Sequence, residues 1–426
     1  MRPTRARRTM LGFALGAMAV AYLDRICIST AAPAIKADLG LDDAQMGYVF
    51  SAFTLAYALF EVPSGWLADR FGARIMLTRI VLWWSVMTAA TGAAQGFASL
   101  VALRGLFGMG EAGVLPSLTR AFGRWLPVRE RGRAFGLTIM AAALGGAATQ
   151  PLVVAILGRF SWRQAFPIFG AVGLLWAAAW FVWFRDDPRS HRSVNAAELA
   201  EIGADRPGGH PAVPWGVLVR SRNLLALCAM YFGAIYGWYF YLTWLPTYLL
   251  RARGFDLAAV GWLAALPLLA IATGSLAGGL LADALTRRFG ARIGLRGPGL
   301  VGLPLAALAI AGAVGASEPR TSAFCLAAAA GLAALGVAPA WSVCLAIGGR
   351  HAGVVSGAMN SFGNLGGFAS PIVVGWCLTW WNSWDTPLYT VAGLYLFAAL
   401  CWLGVDPLEP LDVSDRAASG LISRVG

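Results

Sequence analysis

The chain has 426 residues, 58% of them hydrophobic and 13% charged, with a formal net charge of +12 and a mean hydropathy of +0.65. A soluble domain carries about 25% charged residues, and a disordered chain is poor in apolar side chains, so both classes are excluded. An outer-membrane β-barrel is disfavoured because alternating strands rarely raise overall hydropathy this far, which leaves an all-α polytopic membrane protein.

Crossing a bilayer takes about 20 apolar residues. Twelve runs qualify in chain order: 9–35, 45–67, 75–94, 98–122, 134–157, 165–184, 223–250, 258–282, 299–317, 322–347, 353–378 and 388–405. The first follows Arg2, Arg5, Arg7 and Arg8, as the core of a secretory leader would. It runs on past Asp24 without a clear small-residue cleavage site, so it is expected to remain as a span. The longest polar stretch, 185–222, divides the spans six and six. The expected domains are an N-terminal six-helix bundle (1–184), a central loop (185–222) and a C-terminal six-helix bundle with a short tail (223–426).

With the N-terminus inside, inner segments hold 25 Lys and Arg and outer segments 6. That bias predicts cytoplasmic termini and a cytoplasmic central loop. The positive charge therefore marks membrane sidedness, and no nucleic-acid partner is expected. Lys36 is the only lysine, a bias typical of GC-rich bacterial genomes, so a bacterial inner membrane is the expected location. Cys27, Cys228, Cys325, Cys344, Cys377 and Cys401 are scattered singly in apolar runs, and the histidines are three. Neither a disulfide frame, a metal site nor a cofactor is expected.

After the second span the chain reads Gly65-Trp66-Leu67-Ala68-Asp69-Arg70-Phe71-Gly72-Ala73-Arg74. After the eighth it reads Gly279-Leu280-Leu281-Ala282-Asp283, then Arg287-Arg288-Phe289-Gly290-Ala291-Arg292. The glycine permits close helix approach, and the acid can pair with Arg or cap a helix end. A generic basic loop would explain the arginines but not the repeated Gly-to-Asp spacing. The pattern resembles the signature loop of the major facilitator superfamily, and with twelve spans and a central loop the resemblance covers essentially the whole chain. It implies two six-helix bundles related by a pseudo-twofold axis along the membrane normal, with substrate between them near mid-bilayer and transport by rocking about that site.

A narrower resemblance rests on Tyr22-Leu23-Asp24-Arg25 with Ser29 and Ala32-Pro33, and on Arg104-Gly105 with Gly108-Met109-Gly110-Glu111-Ala112-Gly113 and Pro116. It extends through Trp244-Leu245-Pro246-Thr247-Tyr248-Leu249 with Gly254-Phe255, and Asn360 with Gly363-Asn364-Leu365-Gly366-Gly367 and Pro371. Together these resemble the anion:cation symporter family, whose members carry galactonate, glucarate, hexuronates, tartrate and phthalate.

Charges inside a span cost about 2.5–3.5 kcal/mol each on insertion scales, so Asp24, Arg25, Arg104 and Glu111 demand a reason. Mutual neutralisation that locks the first and fourth spans is the structural reading. A working site is the other. Arg104 and Glu111, seven apart, share a helix face about 10.5 Å apart along the axis, with Gly108 between them leaving room for a small molecule or an approaching helix. Asp24 and Arg25 point about 100° apart, so one arrangement aims Arg25 into a central cavity and Asp24 at the bundle wall. Arg offers a planar fork that fits a carboxylate. Burial disfavours a carboxylate and a nearby Arg favours it, so a balanced acid can take up and release a proton near neutral pH. Arg25 is thus expected to bind substrate, Asp24 and Glu111 to carry protons, and Arg104 to tune them. The family resemblance implies the same roles for the first-span pair and the fourth-span acid.

Further substrate-site candidates are Tyr57, Asn360, Asn364, Trp341, Ser342, Tyr231 and Trp238. Each has a packing alternative: a satisfied aromatic hydroxyl for the tyrosines, interhelical hydrogen bonding for the asparagines. Asp69, Arg70, Arg74, Asp283 and Glu61 are expected to form gating loops. The fifth span reads Gly145-Gly146-Ala147-Ala148-Thr149-Gln150-Pro151, which lacks the Gly-Pro-x-x-Gly-Gly order usual in drug exporters of the superfamily. The expected function is proton-coupled import of small organic anions such as sugar acids or other carboxylates, with a proton-driven exporter of organic anions or drugs as the alternative. An integral-membrane enzyme lacks a catalytic loop, and a sensor lacks a signalling domain. The expected partners are the organic anion, protons and the lipid bilayer, with the protein a monomer.

Overall fold

The computed structural model describes residues 3–202 and 220–410, apart from the side chains of Val62, Asp69, Val128, Arg129 and Arg350. Residues 203–219 of the expected central loop, with Asp205, Pro207, Gly208 and Gly209, and the tail beyond 410 lie outside them. Every span is α-helical, and no strand occurs among the described residues.

Helix α1 (Ala6–Leu39) ends where Gly40 adopts a left-handed conformation and its N–H bonds back to the Lys36 carbonyl. Helix α2 (Asp43–Thr91) starts with a capping box between Asp42 and Gln45 and carries the second and third spans. It breaks at Gly72, whose φ of 83° and ψ of 161° are far from helical. The fourth span is two helices, α3 (Phe97–Glu111) and α4 (Val114–Trp125). The sequence suggested one continuous run. Gly113, at φ 137°, interrupts it directly after Glu111, and a Cβ there would lie 2.5 Å from Ser64 Cβ. A larger residue is therefore excluded by both backbone strain and space. Helices α5 (Val128–Leu157) and α6 (Trp162–Trp183) complete the first six spans, followed by the short α7 (Ala196–Ile202).

The second half runs α8 (Arg222–Thr243), α9 (Leu245–Arg251), α10 (Leu257–Leu263), α11 (Ala265–Phe289), α12 (Ala291–Gly315), α13 (Pro319–Ala334), α14 (Val337–Gly348), α15 (Ala352–Trp381) and α16 (Asp385–Leu403). Nine helical segments among the described residues are long and apolar enough to cross a membrane. The two halves of α2 and the glycine-rich α15 bring the spans to the expected twelve. Two compact units form, one of residues 1–208 with 256–265 and one of 209–255 with 266–426.

The units repeat one internal packing scheme. In the first, α1 lies on α5 and α2 on α6; in the second, α8 lies on α15 and α12 on α16. These are the same partners counted within each half. Close approach is achieved alike: a Cβ on Gly108 would run into the Phe53 carbonyl, and one on Gly274 into the Gly331 carbonyl. Gly108 thus admits a neighbouring helix.

At the end of α6 the chain folds back on the unit's own helices. Asp186 Oδ1 accepts from the Arg74 backbone N–H at 3.2 Å and occupies the space a Cβ on Gly72 would need, so it caps the restarted helix. The repeated-loop reading anticipated an acid in that role but pointed to Asp69, whose side chain lies outside the described residues. The buried Glu198 of α7 accepts from the backbone N–H groups of Ala6 and Arg7 and from the Thr4 hydroxyl, satisfying the first turn of α1. His191 packs between Trp125 and Trp183, with ring centroids 5.3 and 4.6 Å away. The Ser193 N–H donates to its Nδ1, so Nε2 carries the hydrogen that the Trp183 carbonyl accepts at 3.0 Å. Burial holds the imidazole below its ordinary proton affinity.

Candidate functional site

The four bilayer charges converge within the first unit. Met10, Ala14, Met18 and Ala21 form the buried stripe of α1, and Asp24 continues it by one more turn. Asp24 is 1% exposed. Arg25, one residue on, is turned aside by the helix and retains 15% of its side-chain exposure. One guanidinium nitrogen of Arg25 donates to Glu111 Oε1 in an ion pair. The guanidinium also rests against three rings, 5.0 Å from Tyr22, 4.7 Å from Phe53 and 5.3 Å from Tyr57. Such contacts contribute about 0.5–2 kcal/mol each, more as water is excluded.

Glu111 owes its position to the break in the fourth span. It is the last residue of α3, and its second oxygen, Oε2, is buried without a hydrogen-bond partner among the protein atoms. Arg104, two turns earlier, is 4% exposed and lies 5.0 Å from the same Phe53 ring and 4.7 Å from Phe107. Its Nε is also buried and unpartnered. Phe53 thus serves both cations. Its spacing of four from Tyr57 on α2 is the signal that could have found it; as an ordinary apolar residue in an apolar helix it attracted no attention.

The two acids are not equivalent. Glu111 holds a guanidinium, whereas neither oxygen of Asp24 has a hydrogen-bond partner among the protein atoms. Trp84 and Thr88, on the third-span half of α2, are the side chains turned to Asp24. Further along α1, the Thr30 hydroxyl donates to the fully buried Gln150 of α5, a polar tie that the sequence reading passed over.

The remaining candidates divide by unit. In the first, Tyr57 joins the Arg25 cluster and Glu61 is half-buried on the same helix. Arg70 is exposed against Trp66 and Phe71, and Arg74 donates to the Phe181 carbonyl at 2.7 and 3.0 Å. In the second, Trp341 Nε1 donates to the Tyr231 hydroxyl at 3.3 Å, with the two rings edge to face. Tyr231 and Asn364 are buried, Asn360 and Trp238 half-buried, and Ser342 and Asp283 exposed. Trp238 lines a small apolar pocket with Tyr241, Tyr395 and several alanines.

The chain matches the Major Facilitator Superfamily over residues 14–371. It is 39% identical over 421 residues to the "Probable sulfoacetate transporter" of Cupriavidus necator, covering 97% of each chain. It is 31% identical to the "D-galactonate transporter" of Escherichia coli O6:H1, over 94% of this chain and 96% of that one. It is 30% identical to the "Hexuronate transporter" of Bacillus subtilis, over 89% and 90%. Its fold is similar to the crystal structure of a bacterial homolog to the human lysosomal transporter Spinster in an inward-facing, occupied conformation, with a TM-score of 0.76, 21% identity, and 94% and 96% coverage. The chain belongs to the major facilitator superfamily, within its anion:cation symporter group, and is a multi-pass membrane transporter, not an enzyme.

Proposed function

We propose that this member of the superfamily imports small organic anions in symport with protons across a bacterial inner membrane, by alternating access, with both termini cytoplasmic. The observation that carries the reading is the Arg25–Glu111 pair, a cation with a planar fork held by an acid that a proton can neutralise. An arriving carboxylate or sulfonate competes with Glu111 for the same guanidinium. A proton on Glu111 removes that competitor, so anion and proton each favour the binding of the other. Asp24, buried without a cation in contact, is the second proton carrier, and Arg104 tunes both acids. Relatives named for sulfoacetate, galactonate and hexuronate support an organic anion as cargo.

Tyr57, Asn360, Asn364, Trp341, Ser342, Tyr231 and Trp238 are proposed to contact the rest of the substrate. Asp69, Arg70, Arg74, Asp283 and Glu61 are proposed to act in gating. Coupling has an energetic purpose. Each anionic charge enters against about 2.3 kcal/mol per 100 mV of inside-negative potential, and moving more than one proton per monovalent anion reverses the sign of that term.

The test is uptake by proteoliposomes of the full chain, with sulfoacetate, galactonate and glucuronate supplied under an inward proton gradient. At least one acid should accumulate, an uncoupler should abolish the accumulation, and Asp24→Asn and Glu111→Gln should each abolish it too. Gradient-driven accumulation persisting in both variants, or accumulation only under an outward gradient, overturns the reading.

A further inference from the structure

Trp84 and Thr88 stand four apart on the third-span half of α2, and so on one helix face. Trp84 is fully buried and Thr88 is 3% exposed. Both are turned to the Asp24 carboxyl. The indole N–H, the Thr88 hydroxyl and both carboxyl oxygens all lack a partner in bonding geometry. Four buried polar atoms from three side chains therefore meet with nothing else to bind. Leaving such groups unsatisfied is costly, and native proteins seldom do so without a use for it. The indole is confined as well. Gly173 of α6 leaves the space it fills, since a Cβ there would lie 3.3 Å from the indole nitrogen and against the Ser85 hydroxyl.

The donors differ in what they can offer. An indole N–H only donates, so it bonds the Asp24 carboxylate more strongly than the carbonyl oxygen of the protonated acid; a hydroxyl donates or accepts, so Thr88 can also take the acid's own proton and serves the two states more evenly. The charged groups that act on Asp24 are Glu111 and Arg104 on α3, and the titratable neighbour on its own helix is the Cys27 thiol. The one charged residue of α6, Arg163, lies at the far end of that helix.

We propose that Trp84 and Thr88 are positioning residues that set the pH at which Asp24 releases its proton during transport. Trp84 favours the ionised carboxylate, to which its N–H bonds more strongly, whereas Thr88 discriminates less between the two states. Neither touches the substrate. The inference rests on Asp24 being a proton carrier, and the experiment separates the two ideas.

The experiment measures initial uptake against external pH in proteoliposomes of the full chain, using whichever of the three acids accumulates. Trp84→Phe removes a donor that bonds the carboxylate more strongly than the acid, so the proton is held more tightly. The alkaline limb of the profile should then move up by about one pH unit, the worth of one hydrogen bond to a charged group. Thr88→Val should give a smaller shift in the same direction, and Thr88→Ser should restore the wild-type limb. Uptake that falls equally at every pH in both Trp84→Phe and Thr88→Val, with the limb unmoved, overturns the positioning role while leaving Asp24 as carrier. A wild-type profile in Asp24→Asn itself overturns the carrier reading and this inference with it.

Discussion

The turn at Phe71-Gly72-Ala73-Arg74 and the turn at Phe289-Gly290-Ala291-Arg292 are the same four residue types in two halves of one chain. Their glycines adopt φ and ψ of 83° and 161° in the first and 86° and 163° in the second. Each turn is tied to an aspartate just past its own unit's last span. Asp186 caps the first through the Arg74 N–H, and Asp406 pairs with the Arg292 side chain in the second. The interiors of the same two units are unlike. Asp24, Arg25, Arg104 and Glu111 meet in one, while the other buries Asn364 and Tyr231, whose hydroxyl accepts from Trp341. The shared turn is backbone geometry that only glycine satisfies easily, so it persists in both halves. Buried charge is expensive and worth placing only where it is used, and among the described residues the fully buried acids and arginines stand in the first half.

That contrast can be broken most directly at the cations. Arg25→Ala should lower uptake by about 10- to 100-fold, the consequence of losing a charge-assisted hydrogen bond. Trp341→Ala in the second unit should cost less than about tenfold. Transport assays in which Trp341→Ala proves the worse variant would invert the division of labour.

Packing should treat the units equally. Gly108→Ala and Gly274→Ala each drive a methyl into a backbone carbonyl, so each should destabilise by about 1–3 kcal/mol. Thermal unfolding of the purified protein in detergent would show it, and a loss confined to one variant would break the equivalence of packing.

The smallest effect belongs to a feature of the first unit, the His191 latch. Burial lowers its proton affinity below the ordinary pKa of 6.5, so the loosened loop binds more protons than the packed one. The latch contributes its full stability above about 6.5 and loses it as pH falls through the lower, packed-state value. Hydrogen exchange at the Ser193 amide, corrected for its intrinsic pH dependence, should accelerate severalfold on acidification, and His191→Phe should abolish that extra acceleration.

Much of the candidate site was legible because charge in an apolar run is conspicuous. Asp24, Arg25, Arg104 and Glu111 stand out against their neighbours, and helical spacing already put Arg104 and Glu111 on one face. Phe53, Trp84 and Thr88 were not legible. Nothing about an aromatic or a threonine within a span distinguishes one that faces a charge from one that faces lipid. Nor was the cap on the Gly72 turn legible, because Asp186 reaches it from more than a hundred residues away.

Hydropathy and the duplicated loop determined by themselves the number of spans, the division into halves and the candidate charges, because bilayer thickness and desolvation act on local composition. Tertiary structure alone decided that Glu111 rather than Asp24 holds Arg25, that Phe53 lies against both guanidiniums, and that Trp84 and Thr88 are turned to the other acid. Those pairings depend on which helix faces meet and on where Gly113 interrupts the fourth span. Contacts between distant segments are set by the packing of whole helices, which no local pattern of residues encodes.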